Sequence, residues 1–148
     1  MSDRMRINET VVVGPQPAEG ELSGLASDFK SVVNLRTDGE DEQSLSPSAE
    51  GEVLRAAGVE YLHFPVAMES LSPELVDRFR ETFAALPTPV FAHCESGKRA
   101  GAMVMMDMAV RKGMTGRQTL EKAEEMGFEC DQPELVEFVQ SYVDSRTG

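Results

Sequence analysis

The stretch Pro89-Val90-Phe91-Ala92-His93-Cys94-Glu95-Ser96-Gly97-Lys98-Arg99-Ala100-Gly101 decides how this chain is read. Its first part is a short apolar run bounded by Pro87 and Pro89, which predicts a buried strand over 89–93. Its end opens a run of helix formers, Ala100–Lys112, stopped at Gly113. Between strand and helix lies a tight loop from Cys94 to Arg99. Backbone N–H groups in such a loop, at a helix N-terminus, point into one concavity and favour an anion. Gly97 relaxes the backbone where the loop must curl. Lys98 and Arg99 add positive charge, and Arg99 offers an oxyanion two parallel N–H donors. Cys94, at the base of this positive field, is expected to react as a thiolate facing a bound oxyanion. A lone cysteine is most often a small buried hydrophobe, but that role leaves the strand, glycine, arginine and helix around it unexplained. His93 is placed to hold the loop's backbone rather than to transfer protons.

Outward from this loop the chain alternates. Val11–Val13 predicts a strand ended by the turn Gly14-Pro15-Gln16-Pro17. A short helix follows over 19–28, then a buried strand over 31–35. Ser46-Pro47 reads as an N-cap with proline at the first helical position, and that helix runs to about Ala57 and stops at Gly58. A strand over 60–64 ends at Pro65. Ser72-Pro73 caps a helix with Leu75, Val76, Phe79, Phe83 and Leu86 on one face. Thr115 with Gln118 and Asp131 with Glu134 predict capping boxes. The last helix offers Leu135, Val136, Phe138, Val139, Tyr142 and Val143 as its apolar stripe. The acidic run 38–42 reads as a solvated loop. Strands alternating with helices predict a single α/β domain over 1–148, its core over about 5–143. It has a mainly parallel central sheet of about four to five strands flanked by helices. In such sheets ligands bind at the carboxyl ends of strands, where the Cys94 loop sits.

The bulk numbers narrow the function further. The chain has 148 residues, 41% hydrophobic and 27% charged, which fits one packed domain. A net charge of −12 argues against nucleic acid and anionic membrane as partners. No apolar run approaches the ~20 residues of a membrane span, and the opening Met-Ser-Asp-Arg-Met-Arg lacks a signal peptide's apolar stretch, so the expected compartment is the cytoplasm. The two cysteines, Cys94 and Cys130, are too few for a disulfide framework. A bridge between them is expected, if at all, as a transient redox device. The two histidines, His63 and His93, provide no zinc spacing, so neither metal nor cofactor is expected. The methionines 103, 105, 106 and 108 read as core of the helix behind the loop, with an interface as the alternative. The sequence leaves the oligomeric state open.

The loop Ala92-His93-Cys94-Glu95-Ser96-Gly97-Lys98-Arg99-Ala100-Gly101 resembles the signature loop of cysteine-dependent protein tyrosine phosphatases, above all the compact dual-specificity type. Gly14–Pro17, Val32-Val33-Asn34-Leu35-Arg36 and Tyr61-Leu62-His63-Phe64-Pro65-Val66 extend the resemblance to about residues 5–140. They stand in the order and spacing of a bacterial, beta-lactamase hydrolase-like branch of that superfamily. The resemblance implies a metal-independent phosphomonoesterase acting on a phosphorylated substrate, and binding of inorganic phosphate or sulfate. Cys94 would attack phosphorus. Arg99 and the loop residues Glu95, Ser96, Gly97, Lys98 and Ala100 would hold the oxygens, and Arg36 would add charge to the pocket.

Three features depart from the superfamily pattern. Four residues separate Cys94 from Arg99 where the usual phosphatase loop has five, a spacing shared with rhodanese-type sulfurtransferases and with the bacterial branch. Ala100 stands where a hydroxyl residue commonly assists the second step, leaving Ser96 as the nearby hydroxyl. The aspartate usual after the segment Phe64-Pro65-Val66 is absent. Glu69 is the first candidate for that general acid, with Asp38, Glu40, Asp41 and Glu42 behind it. A phosphocysteine phosphatase is therefore the leading expectation. A sulfurtransferase carrying persulfide on Cys94 is the second, and a non-catalytic phosphate-binding module the third.

Overall fold

The computed structural model describes residues 4–37, 46–67, 70–94, 98–126 and 133–147. Strands are β1 (Met5–Arg6), β2 (Val11–Gly14), β3 (Ser31–Asn34), β4 (Glu60–His63) and β5 (Val90–His93). Helices are α1 (Leu22–Asp28, entered through a 3-10 turn), α2 (Pro47–Ala56), α3 (Pro73–Ala84), α4 (Lys98–Lys112), α5 (Gly116–Glu125) and α6 (Pro133–Thr147). Two compact units emerge, Met1–Ala100 and Gly101–Gly148, with α4 running from one into the other.

The first unit is built on a five-stranded sheet in the order β1-β2-β5-β3-β4. All pairs are parallel except β1 with β2. The expected mainly parallel α/β fold is therefore present. Strand β5 comes last in the chain yet lies in the middle, between β2 and β3, and all four of its residues are buried. This explains its continuous apolar reading: a parallel strand covered on both faces has no polar side to alternate. Val12, Leu22, Leu25, Val32, Leu54, Val59, Tyr61 and Phe91 form a core cluster, which joins α1 and α2 to the sheet.

Local signals explain most element ends. The Oγ atoms of Ser46 and Ser72 accept from the N–H groups of Ala49 and Leu75, both at 3.2 Å, with proline first in each helix. Gly58 and Gly113 take positive φ, 88° and 71°, at the ends where glycine was expected to stop a helix. In the second unit Thr115 and Gln118 form the expected capping box. Asp131 lies outside the described residues.

Two boundaries differ from the sequence reading. Strand β1 was not expected, because two residues carry no period, and its antiparallel pairing with β2 supplies what pattern does not. Helix α4 begins at Lys98, two positions before the expected Ala100, so Arg99 already belongs to its first turn. The methionines 103, 105, 106 and 108 are all buried. Among the described residues no helix is long and apolar enough to cross a membrane.

Candidate active site

Parallel register lines up Gly14, His93, Asn34 and His63 in one row across β2, β5, β3 and β4. The residues that follow each of them leave the sheet side by side. Main-chain bonds extend the row by a step: Leu35 N donates to His93 O at 2.9 Å, Phe64 N to Asn34 O at 2.9 Å, and Val66 N to Leu35 O at 3.0 Å. The segments Gly14–Pro17, Leu35–Arg36 and Phe64–Val66, far apart in sequence, thus meet Cys94 and Arg99 at one edge. It is the carboxyl edge of the parallel strands, at the point where β5 is inserted between earlier strands.

Cys94 leaves the central strand at this edge and is 1% exposed. The N–H of Ala100, in the first turn of α4, points at its sulfur with N···Sγ 3.4 Å. This is one of the four N–H groups that a helix start leaves without an internal partner, and it faces the atom expected to carry charge. Arg99 comes to the same edge. Its Nη1 donates to the carbonyl oxygen of Val66 at 2.8 Å and, more weakly, to that of Leu35 at 3.5 Å. A planar guanidinium gripped through one nitrogen has its whole fork oriented, which is how arginine presents a bidentate face to an oxyanion.

Next to Cys94, from His93 outward, lies a set of buried and half-buried polar side chains. His93 Nε2 meets Glu50 Oε2 at 2.6 Å, with side chains 0% and 1% exposed. Glu50 Oε1 accepts from Gln16 Nε2 at 2.9 Å, and Gln16 Oε1 accepts from Arg36 Nη1 at 3.1 Å. Arg36, expected to add charge to the pocket, is fully buried in this set. Asn34 Oδ1 accepts from Arg36 N at 2.9 Å, and Asn34 Nδ2 donates to Tyr61 Oη at 3.0 Å. His63 Nε2 lies 2.6 Å from the Arg36 carbonyl oxygen. The His93 ring, expected to hold the loop's backbone, has its polar contact among the described residues with the Glu50 side chain instead, a partner the sequence reading did not find.

Glu50 and Gln16 were missed. A signal existed for Glu50. The buried residues of α2 are Pro47, Glu50, Gly51 and Leu54, the spacing of an apolar stripe, and Glu50 is a carboxylate on that stripe. A charged side chain at a core position needs a partner. Gln16 offered no comparable signal. Of the remaining expected site residues, Lys98 opens α4, while Glu69, Glu95, Ser96 and Gly97 lie outside the described residues, as does Cys130. Among the described residues no group of three or more His, Cys, Asp and Glu side chains comes together to hold a metal ion.

A cysteine at the end of the central strand of a parallel sheet, facing a helix start and with an arginine at the same edge, is the arrangement of the cysteine-dependent phosphatase superfamily, and comparison agrees. Residues 3–111 match the model of the "Beta-lactamase hydrolase-like protein, phosphatase-like domain" family, and the chain belongs to that family. A beta-lactamase hydrolase-like protein of Agrobacterium fabrum is 33% identical over 107 residues, covering 72% of this chain and 25% of that protein. One from Xylella fastidiosa is 31% identical over 122 residues, covering 82% of this chain and 27% of the relative. The chain therefore spans about a quarter of the length of the curated relatives it matches. Among solved structures, Tk-PTP in its active form superposes with TM-score 0.77 at 27% identity, covering 97% of both chains. TpbA of Pseudomonas aeruginosa gives 0.72 at 21% identity, covering 97% of this chain and 84% of that one. The core catalytic domain of the PP-IP phosphatase SIW14 from Saccharomyces cerevisiae shares the fold at TM-score 0.68 and 15% identity, covering 89% and 80%.

Proposed function

We propose that this domain hydrolyses phosphate monoesters, such as phosphotyrosine or phosphoserine in a protein, through a phosphocysteine on Cys94. The observation that carries the reading is the pairing at the centre of the sheet edge: the sulfur of Cys94 faces the Ala100 N–H at 3.4 Å, and Arg99 is held at the same edge by Val66. A nucleophile and anion-stabilising donors aimed at one place are what an in-line displacement requires.

In the first step the sulfur lone pair forms the S–P bond. The P–O bond to the leaving group breaks, and Glu69 supplies the proton that the departing oxygen needs. In the second step water attacks phosphorus, Glu69 takes its proton, the P–S bond breaks and inorganic phosphate leaves. The guanidinium of Arg99 and the N–H groups of 95–100 carry the equatorial oxygens through both steps. No metal enters this sequence, and it takes place in the cytoplasm.

One observation favours a second reading. The four-residue spacing from Cys94 to Arg99 is that of a sulfurtransferase loop. The deciding experiment sets the protein beside its Cys94→Ser variant on p-nitrophenyl phosphate and on thiosulfate with cyanide. Phosphate release that disappears in the variant, while vanadate still binds, is the expected result. Thiocyanate formation without phosphate release moves the assignment to sulfur transfer. Phosphopeptide binding with neither activity leaves a binding module.

A further inference from the structure

The polar set next to Cys94 has a single consistent direction. Arginine only donates, so the contact from Arg36 Nη1 fixes Gln16 with Oε1 toward Arg36 and Nε2 toward Glu50. Glu50 then receives two bonds, from Gln16 on Oε1 at 2.9 Å and from His93 Nε2 on Oε2 at 2.6 Å. Among the described residues His93 Nδ1 has no hydrogen-bond partner and is buried. Among the described residues the polar hold on the His93 ring is therefore one contact, from Glu50, beside its stacking on Phe91 at 5.9 Å between centroids. His93 is the last residue of β5 and Cys94 is the next.

Glu50 is itself held from below. Gly51 lies against the ring of Tyr61, and Tyr61 Oη takes a bond from Asn34, the β3 residue in register with His93. The carboxylate is thus fixed in height against the strand it serves.

We propose that Glu50 is a positioning residue for the nucleophile: through His93 it seats Cys94 under the Ala100 N–H, and Gln16 carries the same constraint to Arg36. The proposal rests on Cys94 being the reactive thiol. It has a sign that separates it from simple electrostatics. Removing a buried negative charge near a thiol favours the thiolate, so a charge effect alone makes Glu50→Gln react faster. Loss of positioning makes it react slower.

It also predicts a specific rescue. With His93 kept as the Nε2–H tautomer that serves Glu50, the new amide of Glu50→Gln accepts from His93 and turns its NH2 toward the NH2 of Gln16. Flipping Gln16 moves the same conflict to Arg36. In the double variant Gln16→Glu/Glu50→Gln the three bonds of the series are restored, Arg36 to residue 16, residue 50 to residue 16, and His93 to residue 50, while the weaker bond from Gln16 Nε2 to the Pro17 carbonyl at 3.2 Å is given up. The order of donors is restored with the carboxylate moved one place along.

The test is the rate of Cys94 alkylation by iodoacetamide at about pH 7, read by intact mass and peptide mapping in the folded full chain. It needs no enzymatic substrate. Glu50→Gln is expected to slow alkylation about tenfold, the worth of one charged hydrogen bond. The double variant is expected to return to within about threefold of the parent. A rate in Glu50→Gln equal to or above the parent's overturns the proposal, as does a double variant no faster than Glu50→Gln. If Glu50→Gln does not fold, the double variant decides alone: folded with a near-parent rate supports the proposal, and unfolded or slow overturns it. Absence of phosphate release from p-nitrophenyl phosphate, with this alkylation pattern intact, would sink the hydrolase reading and leave the role of Glu50 standing.

Discussion

The guanidinium of Arg99 is anchored on the main-chain carbonyl of Val66, Nη1 to oxygen 2.8 Å, so the residue meant to grip an oxyanion also ties the start of α4 to the segment after β4. One planar fork has donors enough for the anchor and for the proposed oxyanion, because they are spread over three nitrogens. A lysine ammonium is a point charge on a flexible stem and cannot face both partners. Arg99→Lys is expected to lower kcat/KM on p-nitrophenyl phosphate by about 10²–10³-fold, the range seen when a preorganised oxyanion donor is lost. Parent-like kinetics in this variant would remove Arg99 from the oxyanion site.

Gly51 has no room to grow. A Cβ added there would lie 2.7 and 2.8 Å from two ring carbons of Tyr61. Alanine favours a helix interior over glycine by about 0.5–1 kcal/mol, while overpacking a buried ring costs about 1–3 kcal/mol. The clash wins, because Tyr61 is buried and bonded to Asn34. Gly51→Ala is expected to cost about 1–2 kcal/mol of stability, read as a lower urea midpoint with an unchanged slope. A midpoint at or above the parent's would mean that Tyr61 shifts aside at little cost.

These two residues mark what was legible in the sequence. Arg99 could be read because its role depends on spacing from Cys94 and on the strand and helix around it, all local patterns. The strands and caps were readable for the same reason: Ser46-Pro47 and Gly58 are short-range signals that the fold obeys. Gly51 could not be assigned, and Glu50 was legible only as a carboxylate on a buried stripe, since their partners Tyr61 and His93 stand elsewhere in the chain and only the fold brings them near. Strand β1 escaped for a related reason. Two residues hold no period, and pairing with β2 alone makes them a strand.

Ser46 caps the helix that carries both Gly51 and Glu50. Its Oγ accepts from Ala49 N at 3.2 Å, with Pro47 filling the first helical position. Ser46→Ala removes that acceptor from a helix start and is expected to cost about 1 kcal/mol. Ser46→Asp, which keeps an acceptor and adds favourable charge at a helix N-terminus, is expected to match or exceed the parent. Equal urea midpoints for all three proteins would show the cap to be energetically idle.

The general acid is best tested through the leaving group. Glu69 follows Val66 by three residues, and the Val66 carbonyl is held by Arg99, which supports Glu69 as the first carboxyl after the segment that Arg99 grips. A general acid contributes about 10²–10⁴-fold when the departing oxygen is strongly basic, and little when it leaves unaided. Glu69→Gln is therefore expected to lower kcat on phenyl phosphate by at least about 10²-fold. On p-nitrophenyl phosphate, whose leaving group is far less basic, the loss should be much smaller. Equal losses on both substrates would show that Glu69 acts on binding or folding rather than on the proton. The acidic run 38–42 would then supply the next candidates. A loss confined to phenyl phosphate would tie Glu69 to cleavage of the P–O bond and explain how the domain works without the aspartate usual after the segment Phe64-Pro65-Val66.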